Sequence, residues 1–283
     1  MPSRFVSHIA NSTIEIIDCL HAERDLQAGI SICNHLRDLT PEGVPRIRRH
    51  SIESEDALWA CLDEIENDCV RGWKAIVHLE GHACKAGFEL RRGIEPPYPI
   101  VPWGALVDRF RHINVASQFN LGVFLAACEG IEALRPMTIK KSAPYMFLAG
   151  PNVVVSAGVM KVAAERFYDI IVTAPDLGRA LASLPAEFST FLAERFFATT
   201  YARVLKAQSF GRNRRERVDS LVNMVVPDNA PLEQVRSVRE MARVFARPDR
   251  ERYEAVQQNY LPAGVSFMFD DLVEFARTGR VPN

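Results

Sequence analysis

Two apolar runs in this chain end in a chemically capable side chain beside a glycine: Ile76-Val77-His78-Leu79-Glu80-Gly81-His82-Ala83 and Val123-Phe124-Leu125-Ala126-Ala127-Cys128-Glu129-Gly130. An imidazole and a thiol delivered to one edge of a sheet make a nucleophile–base pair, which is what a cysteine peptidase requires. In open α/β sheets reactive groups gather beyond the carboxyl ends of strands, because the loops there converge on one crevice. Taken singly, each residue has an ordinary reading, an exposed or satisfied histidine and a small buried thiol. Their joint occurrence at consecutive strand ends favours function.

A metal centre is the competing chemistry, since His78, Glu80, His82 and Cys84 share one face of an extended segment. On a strand, however, His78 and His82 lie roughly 13 Å apart, too far to ligate one ion. A helix would bring them together, but the preceding β-branched residues and Gly81 disfavour helix. No metal and no cofactor are therefore expected, and His78 reads as a buried strand residue. The chain has no GxSxG elbow, phosphate loop or GxGxxG fingerprint. Gly150-Pro151-Asn152 reads as a loop, and the basic run Arg212-Asn213-Arg214-Arg215 as a solvated helix face rather than a contact for an acidic partner.

The elements needed to hold these groups follow from periodicity. Strands are expected at Thr13 to Asp18, Arg46 to Ile52, Trp73 to Leu79, Leu121 to Ala127 and within Tyr145 to Ser156, with a small hairpin suggested by Gly87-Phe88-Glu89-Leu90 followed by Gly93. Helical spacing joins Leu26, Ile30, Cys33 and Leu36, then Leu58, Leu62, Ile65 and Cys69 behind the Ser54-Glu55-Asp56 start signal. It recurs in Trp103 to Ile113 and Val159 to Ile171. Such β–α–β alternation predicts an α/β fold with a mostly parallel central sheet sandwiched by helices. Beyond about residue 176 strand signals fade. Leu181 to Leu205 reads as one helix, and Leu232 to Phe245 as another. The expected organisation is an α/β domain over 1–185 and a helical C-terminal extension over 186–283, packed on it.

Bulk properties narrow the setting. With 34 Lys+Arg against 35 Asp+Glu, nothing in the net charge draws the chain toward nucleic acid or membrane. Met1-Pro2-Ser3-Arg4-Phe5 does not read as a signal peptide, and no apolar run reaches the roughly 18 residues of a membrane helix. The six cysteines are scattered without CxxC pairs, which suits free thiols in a reducing cytoplasm.

Leu79-Glu80-Gly81-His82-Ala83 and Leu125-Ala126-Ala127-Cys128-Glu129-Gly130 resemble the histidine and cysteine motifs of caspase-fold peptidases, and within that group the bacterial CHAT-type proteases. The order matches the caspase pattern, with the histidine about 50 residues upstream of the cysteine. Gly150, Phe167-Tyr168 and Ala180-Leu181 extend the resemblance, which covers roughly residues 10 to 185. It implies a caspase–hemoglobinase-like sheet and a cytoplasmic endopeptidase with Cys128 as nucleophile and His82 as general acid and base. The backbone N–H groups of Ala83 and Cys128 would form the oxyanion hole, and Ser156 would contact substrate. Glu80 shares a strand face with His82, which offers it two roles: an acid for the specificity pocket, or a salt-bridged or solvent-facing residue. The family usually has glycine where this chain has Ala83, so the oxyanion hole is the expected weak point. An acidic residue found two before the cysteine in metacaspase-like relatives is Ala126 here. No third triad member is identifiable.

The resemblance further implies regulated cleavage of a partner protein, as in bacterial defence or cell death, under control of a separate regulatory protein that the helical extension would meet. Two alternatives stand beside this: a catalytically silent caspase-fold scaffold, and a flavodoxin-like domain binding a small molecule at the same strand ends.

Overall fold

The computed structural model describes residues 9–279. The chain divides into two compact units, Met1–Ala193 and Glu194–Asn283.

In the first unit, five parallel strands and one antiparallel edge strand form the central sheet. In chain order they are β1 (Thr13–Asp18), β2 (Arg46–Ser51), β3 (Ala75–Glu80), β7 (Gly122–Ala126), β8 (Phe147–Pro151) and β9 (Phe188–Leu192). Between β3 and β7 the chain forms a separate antiparallel sheet from β4 (His82–Cys84), β5 (Gly87–Glu89) and β6 (Ile100–Pro102). Spatially the large sheet runs β2-β1-β3-β7-β8-β9. The expected α/β class with a mostly parallel sheet is therefore present.

Helices cover both faces. On one, α1 (Ala28–Leu39) packs beside α4 (Ala157–Thr173) over Ile14, Ile16, Ile76, Phe124 and Phe147, joined by α5 (Leu177–Ala182). Strand residues alternate between faces, so Glu15 points the other way, toward α2 (Glu55–Val70). Its neighbour on that side is α3 (Trp103–Ala116). The start of α2 is the one its sequence announces: Ser54 Oγ accepts the Ala57 N–H at 3.1 Å, with Glu55 and Asp56 in the first turn.

Two elements differ from the sequence expectation. The strand within Tyr145 to Ser156 is confined to β8, and Asn152–Val155 leaves it as a loop. Leu181 to Leu205 is not one helix: α5 ends at Ala182, β9 follows, and α6 (Ala193–Ser209) begins after it. Phe188 and Phe191 fill strand positions that a helical period also fits, and antiparallel pairing with β8 decides between them. Because β9 completes the sheet, the first unit extends to Ala193 rather than to 185.

The second unit is helical: α6, α7 (Gly211–Val225), α8 (Leu232–Phe245), α9 (Arg250–Tyr260) and α10 (Phe269–Thr278). Val218 and Val222 of α7 pack with Ala242 and Ala246 at the end of α8. An aromatic cluster joins Phe197 and Tyr201 of α6 to Tyr253 and Tyr260 of α9. No helix among the described residues is long and apolar enough to cross a membrane.

Candidate active site

The strand order creates the site. From β1 the chain crosses to β2 on one side and then returns to β3 on the other, so the loops after β1 and β3 diverge and leave a crevice. Three adjacent parallel strands, β1, β3 and β7, end there. Beyond their ends is a cavity of about 110 Å³ whose lining includes Asp25, Glu80, His82 and Cys128. The two residues singled out by sequence thus line one cavity.

His82 begins β4, two residues past the end of β3. Gly81 makes this turn possible, because a Cβ there would stand 2.5 Å from Cζ of Phe88, whose ring fills the space under the turn. The His82 Nε2 lies 3.1 Å from Oδ1 of Asp25. A carboxylate can only accept, so this bond places the imidazole proton on Nε2 and leaves Nδ1 free to act as a base. Asp25 is held in turn by the His21 backbone N–H, which donates to its Oδ2 at 2.9 Å. Burial would raise the Asp25 pKa, but the His21 N–H and the His82 imidazole outweigh it and hold the carboxyl below its ordinary value. Asp25 was not found by sequence reading. Its one signal is position: it follows β1, at the same sheet edge as the other two groups.

Cys128 lies two residues past the end of β7 and is partly accessible. Its thiol faces the Val155 carbonyl at 3.8 Å. The next residue, Glu129, adopts a left-handed conformation (φ 55°, ψ 21°) and opens a 3-10 helix over Gly130–Leu134. A non-glycine residue in this region carries a conformational cost, and such residues cluster at functional turns. The other cysteines contrast with it. Cys19, Cys33, Cys61 and Cys69 are buried. Burial, with nearby Asp18, pushes the Cys19 thiol far up, and burial beside Glu15 pushes Cys61 to about 12 and Cys69 to about 11. Cys84 is partly accessible but sits in β4 and does not line the cavity. His78 is fully buried, stacked on Phe124 with Nδ1 3.2 Å from the Tyr168 hydroxyl, and burial lowers its pKa to about 3.

Ala83 occupies an ordinary strand position, and it is not among the residues with positive φ. Its register partner is Phe88, next to the Cys84–Gly87 pair that closes the hairpin. Hydrogen-bonded and non-hydrogen-bonded pairs alternate along such a ladder, and the pair closing a two-residue turn is the bonded kind. The Ala83 N–H therefore points away from β5, on the free edge of its sheet. The glycine-specific conformation whose loss the sequence flagged is not used here.

Glu80 ends β3 beside its register partner Asp18. Asp18 is fully buried and satisfied: Arg49 and Arg92 donate to Oδ2 at 2.5 and 2.7 Å, and the Leu20 N–H donates to Oδ1. Glu80 is 3% exposed and its Oε2 has no hydrogen-bond partner among the described residues. It packs so closely on the first turn of α1 that a Cβ on Gly29 would stand 2.2 Å from that oxygen. Burial, reinforced by the Asp18 charge, raises its pKa to about 8, against the pull of the Gly29 N–H and of Arg49 and Arg92. At neutral pH it is an uncharged acid on the cavity wall and offers no fixed negative charge to a basic substrate residue. Ser156 stands between two residues of the cavity lining, Val155 and Ala157, but does not itself line it. It caps α4, accepting the Val159 N–H at 3.3 Å, and lines a separate open groove with Val159, Val162 and Arg166.

Comparison with known proteins adds no name to this geometry: no protein-family model matches the chain, and no curated protein matches it.

Proposed function

We propose that the α/β unit is a cysteine endopeptidase of caspase-like fold that cleaves a partner protein. One observation carries this reading: the cavity that receives Cys128 also receives a histidine whose outer nitrogen is held by a carboxylate. Cys128 gives its thiol proton to Nδ1 of His82 as the sulfur attacks the scissile carbonyl carbon. The carbon–nitrogen bond breaks, the leaving amine takes that proton from His82, and an acyl-thioester remains. Water then loses a proton to His82 and attacks the thioester; the carbon–sulfur bond breaks, the new carboxyl leaves, and the proton passes from His82 to the Cys128 sulfur. Asp25 positions the ring and offsets its positive charge. The Ala83 and Cys128 N–H groups are the oxyanion donors. Regulated cleavage in defence or cell death, and a separate controlling protein, belong to the same reading and rest on the resemblance of the two motifs.

The test is labelling with an electrophilic peptidyl probe directed at thiols. Modification that maps to Cys128 and disappears in His82→Ala supports the peptidase. A probe that ignores Cys128, or labels it equally without His82, overturns it and leaves the silent scaffold.

A further inference from the structure

The basic run at the start of α7, read from sequence as a solvated face, borders a cavity of about 540 Å³ within the helical unit. Arg214 and Arg215 of α7 and Arg239 and Arg243 of α8 line it, and Asp219 is the one carboxylate among the described lining residues. Two of these arginines are already engaged. Arg214 donates to the Arg243 carbonyl at 3.1 Å and fastens the two helices, and Arg239 pairs with Asp219 at 3.2 Å. The guanidinium groups of Arg215 and Arg243 have no carboxylate partner among the described residues.

Three further features converge on the same space. Helix α7 starts at Gly211 with no side-chain cap and no acidic residue in its first turn, while arginines occupy that turn against the helix dipole. Its first N–H groups are therefore unanswered and surrounded by positive charge, an arrangement that an anion relieves. Ser209 lines the cavity and is 6% exposed, yet its hydroxyl has no hydrogen-bond partner among the described residues. Phe210, half-buried, adds a ring to the wall beside the arginines. Guanidinium forks match phosphate oxygens two at a time, and the volume falls in the range of small-molecule sites.

We propose that this cavity binds a ligand bearing adjacent phosphates, a nucleoside di- or triphosphate or inorganic polyphosphate, through Arg215, Arg243, Ser209 and the α7 N-terminus. The site is independent of the peptidase reading.

Titration calorimetry on the full chain with ATP, pyrophosphate and a hexaglutamate peptide tests it. Saturable binding of ATP or pyrophosphate is expected, weakened about tenfold or more in Arg215→Gln/Arg243→Gln. Arg203→Gln/Arg252→Gln on α6 and α9, outside the cavity lining, carries the same charge change and is expected to leave binding unchanged. ATP bound more tightly than pyrophosphate identifies the nucleotide as the source, and equal affinity identifies the phosphates alone. Failure of both to bind, undiminished binding in the double variant, or tighter binding of hexaglutamate overturns the proposal. Circular dichroism of the double variant confirms that the exposed substitutions leave the helices folded.

Discussion

Glu15 and Glu80 are buried carboxyls on neighbouring strands of one sheet, and their surroundings differ completely. Glu15, in the middle of β1, accepts Arg48 Nε at 2.8 and 2.9 Å and faces His50 Nε2 at 2.8 Å, and Arg48 in turn reaches Glu64 and Asp68. Burial would raise the Glu15 pKa, but His50, Arg48 and Thr13 outweigh it and hold the group below its ordinary value, ionised. Glu80, at the end of β3, keeps an oxygen unpaired and keeps its proton to about pH 8. Within the sheet, buried charge is closed into a network that fastens β1, β2 and α2. At the strand ends, polar groups are left partly unanswered beside a cavity. An unpaired buried polar group costs stability, so its persistence at a crevice marks a site built to meet something else.

The sharpest way to break this contrast is at the nucleophile. Cys128→Ala and His82→Ala are each expected to abolish peptidase turnover and probe labelling while leaving the denaturation midpoint nearly unchanged, because both side chains are partly exposed. Cys84→Ala should retain activity. Full turnover in Cys128→Ala ends the assignment.

Next in size is the network itself. Glu15→Ala takes from His50 its carboxylate and from Arg48 its buried one, leaving Arg48 to Glu64 and Asp68, and is expected to cost about 3 kcal/mol in chemical denaturation. Its sign with pH also follows. The Glu15 pKa is depressed on folding, so its stabilisation is present above the ordinary carboxylate range and is lost as pH falls through the folded value. A Glu15→Ala protein as stable as the parent at neutral pH would mean that the network holds nothing together.

Asp25→Asn is expected to have an intermediate effect and to touch activity rather than stability. Asparagine can still accept from Nε2 but no longer offsets an imidazolium. A fall in kcat of about a hundredfold with little change in KM follows from a loosened ring whose positive charge is no longer offset. Asp25→Glu should restore part of the rate. A purely structural Asp25 would change the denaturation midpoint and leave kcat in place.

The sequence made part of this geometry legible because local rules were enough for it. Alternation and apolar runs placed β1, β3 and β7, Ser54 and its two acids placed the start of α2, and Gly81 beside His82 marked where the chain turns. Asp25 was not legible, because its partnership with His82 depends on β1 and β3 being neighbours, a property of strand order. β9 was hidden because Phe188 and Phe191 satisfy both periods until a partner strand selects one. The left-handed turn at Glu129 has no glycine to announce it. The charge state of Glu80 is set by burial, to which the first turn of α1 packing onto it contributes, and by Asp18 on the neighbouring strand, neither of which its own segment announces.

Glu80→Gln separates the two carboxyls most cleanly. Folding raises the Glu80 pKa from 4.5 to about 8. Between those values the native state holds a proton that the unfolded state has released, so stability supplied by this group is full below about pH 4.5. It declines as pH rises and is gone above about pH 8, where the buried carboxyl ionises. Glutamine keeps the shape and cannot ionise. The stability of Glu80→Gln relative to the parent should therefore rise with pH, by up to about 1.4 kcal/mol per unit across that window. Denaturation curves at pH 5, 7 and 9 measure it directly. Under the peptidase reading, cleavage of substrates with neutral residues at the cut should fall above pH 8 in the parent and persist in Glu80→Gln, because only the parent acquires a negative charge on the cavity wall. Parallel stability curves would show that Glu80 is ionised throughout, paired like Glu15. A parent preference for lysine or arginine at the cut, lost in Glu80→Gln, would give the cavity a fixed negative charge and remove the difference between the two ends of the sheet.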